Sequence, residues 1–270
     1  MSVLKSIKKF FSKEKAVEHS YFEISQDTLH HIGGRPYQED SWGILSLNDG
    51  CLAVVADGMG GLSAGDRVSK KIVDTMMLLG KRLKNGQKDG ILGEMLERVN
   101  NDVNEMLGPE GIYKSGSTFL AVLIRENCFH WISVGDSRIY FYREGCLTKL
   151  NQEHNLGQEL FMKAARGEIT FEQAQRDPER NRLTSFIGMG SLRYIDQSVE
   201  RIALEPGDCI ILSTDGVFNT ISDEEIVEVI KKHDDARLIT EELKCRILEK
   251  KNPYQDNFTA IVMTISKDKK

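Results

Sequence analysis

The stretch CLAVVADGMGGLSAG, from Cys51 to Gly65, runs an apolar segment into a bare carboxylate, Asp57, and then places four glycines in eight residues. Apolar packing has no use for a charge at the end of LAVVA, so Asp57 needs a partner that a hydrophobic core does not supply. Its surroundings give the segment a structural class. Upstream, AVEHSYFEIS and SWGILSLND alternate with period two and are cut by Asp, Asn or Gly, the pattern of antiparallel strands. From Ser63 the spacing changes to three and four through SAGDRVSKKIVDTMMLLGKRLKNG, which predicts a helix ending at Asn85-Gly86, and ILGEMLERVNNDVNEML predicts a second.

Downstream, STFLAVLIRENCFHWISVGDSRIYFYREGCLTKL reads as a three-stranded meander broken at Arg125-Glu126-Asn127, Gly135-Asp136-Ser137 and Arg143-Glu144-Gly145. Hydrophobicity falls between Asn151 and Gly190, where Thr170 and Gln173 form a capping signal, and this segment is expected to be a small insertion beside the core. GDCIILSTDG returns to strand, Ser222 with Glu225 caps a further helix, DARLITEELKCRILEK predicts another, and NFTAIVMTI predicts a last strand. Strand runs and helix runs are segregated. That predicts an α+β fold of antiparallel sheets with helices outside them, not a parallel Rossmann-like sheet.

Composition narrows the function. With 40% hydrophobic residues, the 270-residue chain can bury a substantial core as one large domain or two small ones. A net charge of −5, from 36 basic and 41 acidic residues, offers no basic field, and no nucleic-acid partner is expected. Cys51, Cys128, Cys146, Cys209 and Cys245 are dispersed and lack any CxxC pair, so they are read as reduced thiols buried in a cytoplasmic core, without structural zinc. None is followed six residues later by Arg, which removes the phosphate-cradling loop of a thiolate phosphatase. No run approaches the about 20 apolar residues that cross a bilayer, and a secretory apolar core is lacking.

Residues 1–15, MSVLKSIKKFFSKEK, put Val3, Leu4, Ile7, Phe10 and Phe11 on one helical face, with Lys5, Lys8, Lys9, Lys13 and Lys15 around it. They are assigned to a basic amphipathic tail, residues 1–18, ahead of a domain at 19–267. The tail is read as a frayed or packed terminus, or as a peripheral contact with an anionic membrane or a partner.

Asp57 has company. LAVVADG, WISVGDS and IILSTDG end in Asp57, Asp136 and Asp215, while Asp256 in YQDNFTAIVM precedes a fourth apolar run. Strand ends opening at one edge of antiparallel sheets can bring these side chains together with Glu39 and Asp40 of RPYQEDSWG. Clustered carboxylates raise one another's pKa unless a cation neutralises them. An all-oxygen set selects Mg²⁺ or Mn²⁺ over Zn²⁺. Two such ions, about 3.5–4 Å apart, can share a bridging carboxylate and hold a water for in-line attack on phosphorus. Glycine after Asp57 and after Asp215 is read as allowing a sharp turn, and the Gly58 carbonyl can itself reach a metal. Taken singly, each Asp also fits a turn or strand-end cap. Arg35 also fits a surface salt bridge, although its planar fork suits two phosphate oxygens.

Arg35 with Glu39-Asp40, VVADGMGG, SGST, VGDSRIY, LSTDGVFN and QDNFTAIV occur in the order and at approximately the spacings of the PPM family of metal-dependent protein serine/threonine phosphatases, also called type-2C phosphatases. The chain resembles this family, in its bacterial form, over about residues 20 to 266. LGQELFMKAARGEITFEQAQRDPERNRLTSFIG resembles the flap of those members, which places a flap subdomain at about 151–190. The resemblance implies two antiparallel sheets flanked by helices in α-β-β-α layers, with the metal centre at one edge between the sheets. It implies Asp57 as bridging ligand, Gly58 as carbonyl ligand, and Asp215 and Asp256 as partners on the first ion, so that Asp57, Asp215 and Asp256 are the catalytic acids. Asp40, with Glu39, belongs to the second ion's water shell; Asp136 meets a more weakly held third; Arg35 grips the substrate phosphate.

The implied reaction is hydrolysis of phosphoserine or phosphothreonine on proteins by a metal-bridging hydroxide, without a phosphoenzyme, by a cytoplasmic monomer that reverses a serine/threonine kinase. Two departures stand out. Asn219 replaces an Asp that often helps hold the third ion, and Met59 stands where many eukaryotic members carry a His thought to protonate the leaving oxygen; bacterial members commonly have Met there. An alternative keeps the fold but not the turnover, as a weakly active regulatory module that binds a phosphoprotein. A third reading narrows the substrate to a phosphorylated regulator of a sigma factor. The histidines, His154 included, are read as structural or solvated, with substrate contact by His154 as the exception weighed.

Overall fold

In β3 (Gly50–Met59), Cys51, Ala53 and Val55 point to one side and Leu52, Val54 and Ala56 to the other, and all six are buried. A strand covered on both faces has no reason to alternate apolar with polar, which explains the uninterrupted LAVVA. The computed structural model describes residues 22–60, 64–83 and 90–267, so the tail at 1–18, with its membrane reading, lies outside the described residues.

Strand β3 sits inside a sheet ordered β10-β6-β5-β3-β2, formed with β2 (Asp40–Leu47), β5 (Phe119–Arg125), β6 (Cys128–Val134) and β10 (Ile202–Ala203). Short β4 (Gly116–Ser117) pairs with the end of β3, and β9 (Asp196–Gln197) pairs with β6. The second sheet runs β1-β12-β11-β7-β8 and comprises β1 (Glu23–His31), β7 (Arg138–Arg143), β8 (Cys146–Lys149), β11 (Cys209–Ser213) and β12 (Phe258–Ser266). Every pairing is antiparallel.

Helices α1 (Ala64–Gly80) and α2 (Ile91–Gly111) cover the outer face of the first sheet. Helices α6 (Asp223–Lys232) and α7 (Ala236–Glu249) cover the second. Between the sheets lies a third apolar layer that includes Leu120, Val122, Ile210, Leu212, Ile261 and Met263. The result is the expected α-β-β-α sandwich. Helices α3 (Leu156–Ala165) and α4 (Phe171–Arg176) lie between β8 and β9, and α5 (Asp215–Phe218) is a single turn after β11. Both capping signals form reciprocal boxes, Thr170 with Gln173 on α4 and Ser222 with Glu225 on α6.

Several local expectations are corrected. The first helix ends at Gly80 rather than at Asn85, passing into i→i−3 turns at Arg82 and Leu83; Gly80 itself packs on the sheet, where a Cβ would stand 2.8 Å from Leu45 and Leu52 side-chain carbons. The meander from β5 to β8 has four strands, not three, joined at two points by left-handed pairs, Glu126-Asn127 (φ 52 and 60) and Glu144-Gly145 (φ 49 and 86). Cys51 and Cys209 are buried as free thiols, whereas Cys146 and Cys245 are exposed.

Leu212 is wholly buried between the sheets. Leu212→Ala is expected to lower the free energy of unfolding by about 2–5 kcal/mol, through lost transfer energy and a residual cavity. Urea denaturation followed by tryptophan fluorescence measures it, and a loss below about 1 kcal/mol would contradict the packed intersheet layer.

Candidate functional site

Register creates the site. Asp40 at the start of β2 lies directly opposite Asp57 near the end of β3, and strand parity turns both toward the space between the sheets. Like charges directly opposed across a ladder repel. From the other sheet comes Asp215, which follows Thr214 at the end of β11, and Asp256, two residues ahead of β12. Asp136 follows β6 after Gly135, whose φ of 104 is left-handed and whose missing Cβ lets it pack on Thr118. Five sequence-predicted carboxylates thus gather at one edge of the sandwich.

Their electrostatics follow. Burial, reinforced by Asp40, Asp215, Asp136 and Asp256, pushes Asp57 well above the usual carboxylate range. Burial also raises Asp40, with Asp215 and Asp256 adding to it against hydrogen bonds from Thr259 and Thr214. Asp136 is raised to about 7, mainly by burial and then by Asp215 and Glu153. Asp215 is raised by burial and by Asp256, while Arg35 opposes the shift. Glu39 moves up for the same first cause, with Asp66 next.

The remaining atoms are tied down by short polar residues. The Asp57 amide donates to Thr118 Oγ1 at 2.9 Å, and Ser117 Oγ donates to the Asp57 carbonyl at 2.8 Å. Thr118 Oγ1 in turn meets Ser137 Oγ at 2.8 Å. Asp40 Oδ2 accepts from Thr214 Oγ1 at 2.9 Å and Thr259 Oγ1 at 2.7 Å. The Asn257 side chain accepts from the Glu39 amide and donates to the Ile32 and Tyr37 carbonyls, which fixes the loop carrying Arg35. These residues lie inside the quoted motifs SGST, VGDSRIY, LSTDGVFN and QDNFTAIV, but the sequence assigns them no individual role. For Thr259 the signal is a hydroxyl at an inward position of an apolar strand, two places before Ile261.

The Gly58 expectation changes in kind. The strand runs on through Met59 and pairs with β4, so no turn occurs at Gly58; a Cβ there would collide with the Gly65 and Glu39 carbonyl oxygens. Gly216 likewise allows close approach of the Asn257 carbonyl. Arg35 stands at the mouth, half exposed, with Nη2 donating to Asp256 Oδ2 at 2.7 Å. Asn219 Nδ2 donates to Asp215 Oδ2 at 3.2 Å. His154 is buried and structural, its Nδ1 accepting the Gly135 amide at 3.1 Å.

Among the described residues, no three His, Cys, Asp or Glu side chains close into a set that encloses an ion; Asp256 leans on Arg35, and Asp215 is engaged by Asn219. The donor chemistry nevertheless fits hard divalent ions. Every candidate atom is oxygen, the carboxylates are raised by one another, and two buried carboxylate oxygens, Glu39 Oε1 and Asp40 Oδ1, have no hydrogen-bond donor. Beside the carboxylates a cavity of about 200 Å³ opens toward α3 and α4, lined by Asp136, Asp215, Arg138, Phe218, Phe161 and Arg180.

A sequence profile described as protein phosphatase 2C matches residues 28–258. The serine/threonine phosphatase stp of Listeria monocytogenes is 26% identical over 253 residues, covering 91% of this chain and 95% of that one. Among solved structures, PppA of Pseudomonas aeruginosa, a regulatory component of a T6SS, aligns with TM-score 0.73 and 30% identity over 90% of this chain and 97% of its own. The catalytic domain of the phosphatase PstP, solved with 2 manganese ions, aligns with TM-score 0.74 and 23% identity over 91% and 99%.

A raised carboxyl keeps its proton on folding where the unfolded chain has released it. Stability from these groups is therefore full below their unfolded pKa near 4 and is lost as pH rises toward 7, where Asp136 titrates. In excess chelator, Asp57→Asn is expected to unfold at a higher temperature than the unaltered protein at pH 8, by at least about 2–4 °C, the shift that 1 kcal/mol produces at this size. The gap narrows at pH 5. Calorimetry at the two pH values checks it, and equal melting temperatures at pH 8 would remove the repulsion inferred here.

Proposed function

The chain belongs to the protein phosphatase 2C family, and from that premise we propose that it dephosphorylates protein phosphoserine and phosphothreonine with two divalent ions, Mg²⁺ or Mn²⁺, at the carboxylate edge. The serine/threonine phosphatase character is common to its relatives. The single observation that carries the metal-centred reading is Asp40 opposite Asp57, two inward carboxylates that a core would not tolerate uncompensated.

Asp57, which lies among acids from both sheets, would be a ligand common to the ions; Asp215 and Asp256 would hold the first ion, with the Gly58 carbonyl beside them. Asp40 with Glu39 would hold the second ion's surroundings, and Asp136 a weaker third. When bound, the ions supply Lewis acidity toward the phosphoryl oxygens and activate the water that attacks phosphorus. Arg35 binds the phosphate by exchanging its single contact to Asp256 for two substrate oxygens, the geometry a guanidinium favours. The cavity toward α3 and α4 gives the substrate polypeptide room beside the acids. Met59 brings no acid to the leaving oxygen. A phosphate ester on Ser or Thr is made by phosphoryl transfer, so the reaction reverses a serine/threonine kinase.

Among the described residues no helix is long and apolar enough to cross a membrane.

Asp215→Asn is expected to lower turnover of p-nitrophenyl phosphate and of a phosphothreonine peptide by about 10²–10³-fold or more, as for loss of a principal electrostatic group. Arg35→Ala is expected to raise KM about tenfold or more, from a charge-assisted bond worth about 1.5–3 kcal/mol. Steady-state assays with Mn²⁺ measure both. Hydrolysis that survives excess EDTA would defeat the proposal.

A further inference from the structure

Asp40 is held from across the sandwich. Its residue is 4% exposed, and the two threonines on its Oδ2 belong to the opposite sheet, Thr214 just after β11 and Thr259 in β12, both fully buried. The threonines also fix each other: the Thr214 amide donates to the Thr259 carbonyl at 3.0 Å, and the Thr259 amide donates to Thr214 Oγ1 at 3.0 Å. Two donors on one carboxylate oxygen set the plane of the group, and the other oxygen, Oδ1, is left buried without a donor.

The chain of contacts continues outward. Thr259 Oγ1 lies 2.9 Å from His30 Nδ1, on β1 at the edge of the sandwich, and the His30 ring meets Trp42 edge-on with centroids 6.5 Å apart. A hydroxyl has one proton, and an ionised carboxylate only accepts. With Asp40 ionised, as it must be to hold a cation, Thr259 gives its proton to Asp40 and accepts from His30, which requires His30 to carry its proton on Nδ1. Direction is thus fixed along His30, Thr259 and Asp40, and each member has one role. Thr214 supplies the second donor but has no such outward link.

We propose that His30 and Thr259 are positioning residues for the metal centre: the ordered chain from His30 through Thr259 locks Asp40 Oδ2 and presents Oδ1 to a divalent ion. Neither residue touches substrate or ion. The inference rests on the reading of Asp40 as a member of the metal centre. Partners that orient a ligand in this way commonly govern about 10–100-fold in metal affinity.

The test is Mn²⁺ titration of the whole chain by calorimetry, with melting temperature in chelator confirming that each variant is folded. Thr259→Val, which keeps shape and removes the hydroxyl, is expected to weaken binding about 10–100-fold. His30→Phe is expected to weaken it in the same direction. Thr259→Ser and His30→Asn each keep a donor in place and are expected to stay within about threefold, a rescue that general loss of packing would not give. In the metal-free protein the Asp40 carboxyl carbon shift is expected to move in Thr259→Val and not in Thr259→Ser. Asp40→Asn separates the two levels of inference. If it weakens Mn²⁺ binding while folded Thr259→Val and His30→Phe do not, the positioning role is overturned. If Asp40→Asn itself binds unchanged, the assignment of Asp40 to the metal centre falls, and the proposal with it. Should Thr259→Val fail to fold, His30→Phe decides: unchanged affinity overturns the chain from His30.

Discussion

The repulsion between Asp40 and Asp57 is the constraint around which this edge of the protein is arranged. Antiparallel register puts the two carboxylates face to face, and strand parity aims both inward, where burial and the neighbouring acids raise Asp57. Everything nearby is a response. Thr214 and Thr259 cross from the other sheet to bond one oxygen of Asp40, and Ser117 and Thr118 bind the backbone of Asp57. Arg35 takes Asp256 out of the crowd. What these partners leave unsatisfied is an oxygen-rich space suited to hard cations.

Such an arrangement holds stability and function in opposition. The apolar layers behind the site, with Leu120, Ile210, Leu212 and Ile261 fully or almost fully buried, supply cohesion that the acids subtract from. A single neutralising substitution there is expected to relieve the repulsion and, on the function proposed above, to cost the chemistry as well. Three separate apolar layers stand behind that one charged edge.

The layered fold was legible because period-two runs, helical spacing and two capping boxes all agree; Asp57, Asp136 and Asp215 stand out as charges that end apolar runs, and Asp256 as one just ahead of another. The less visible parts are those whose meaning depends on distant partners. Thr259 reads as an ordinary strand residue until β12 places it against Asp40, 219 positions earlier in the chain. Gly58 signalled a special backbone site but not its kind, since a turn and a close approach leave the same residue in the sequence. Strands β4, β9 and β10 have two residues each, too short for any periodicity to show. Gly80, at the end of helix α1, meets Leu45 and Leu52 of the sheet, a contact between distant residues that spacing alone does not reveal.

The pairing of β1 with β12 carries a consequence for how the protein is made. Glu23 bonds alongside Ser266 and His31 alongside Phe258, so the first and the twelfth strands depend on each other across more than two hundred residues. On the ribosome, β1 and the β2–β3 hairpin emerge early, yet β1 has no neighbour until β12 follows, and such long-range closure is slow. Asp256 and Thr259 arrive with that same strand. A nascent chain consequently cannot assemble the carboxylate edge before its second sheet closes, so the two halves of that edge meet only late in folding.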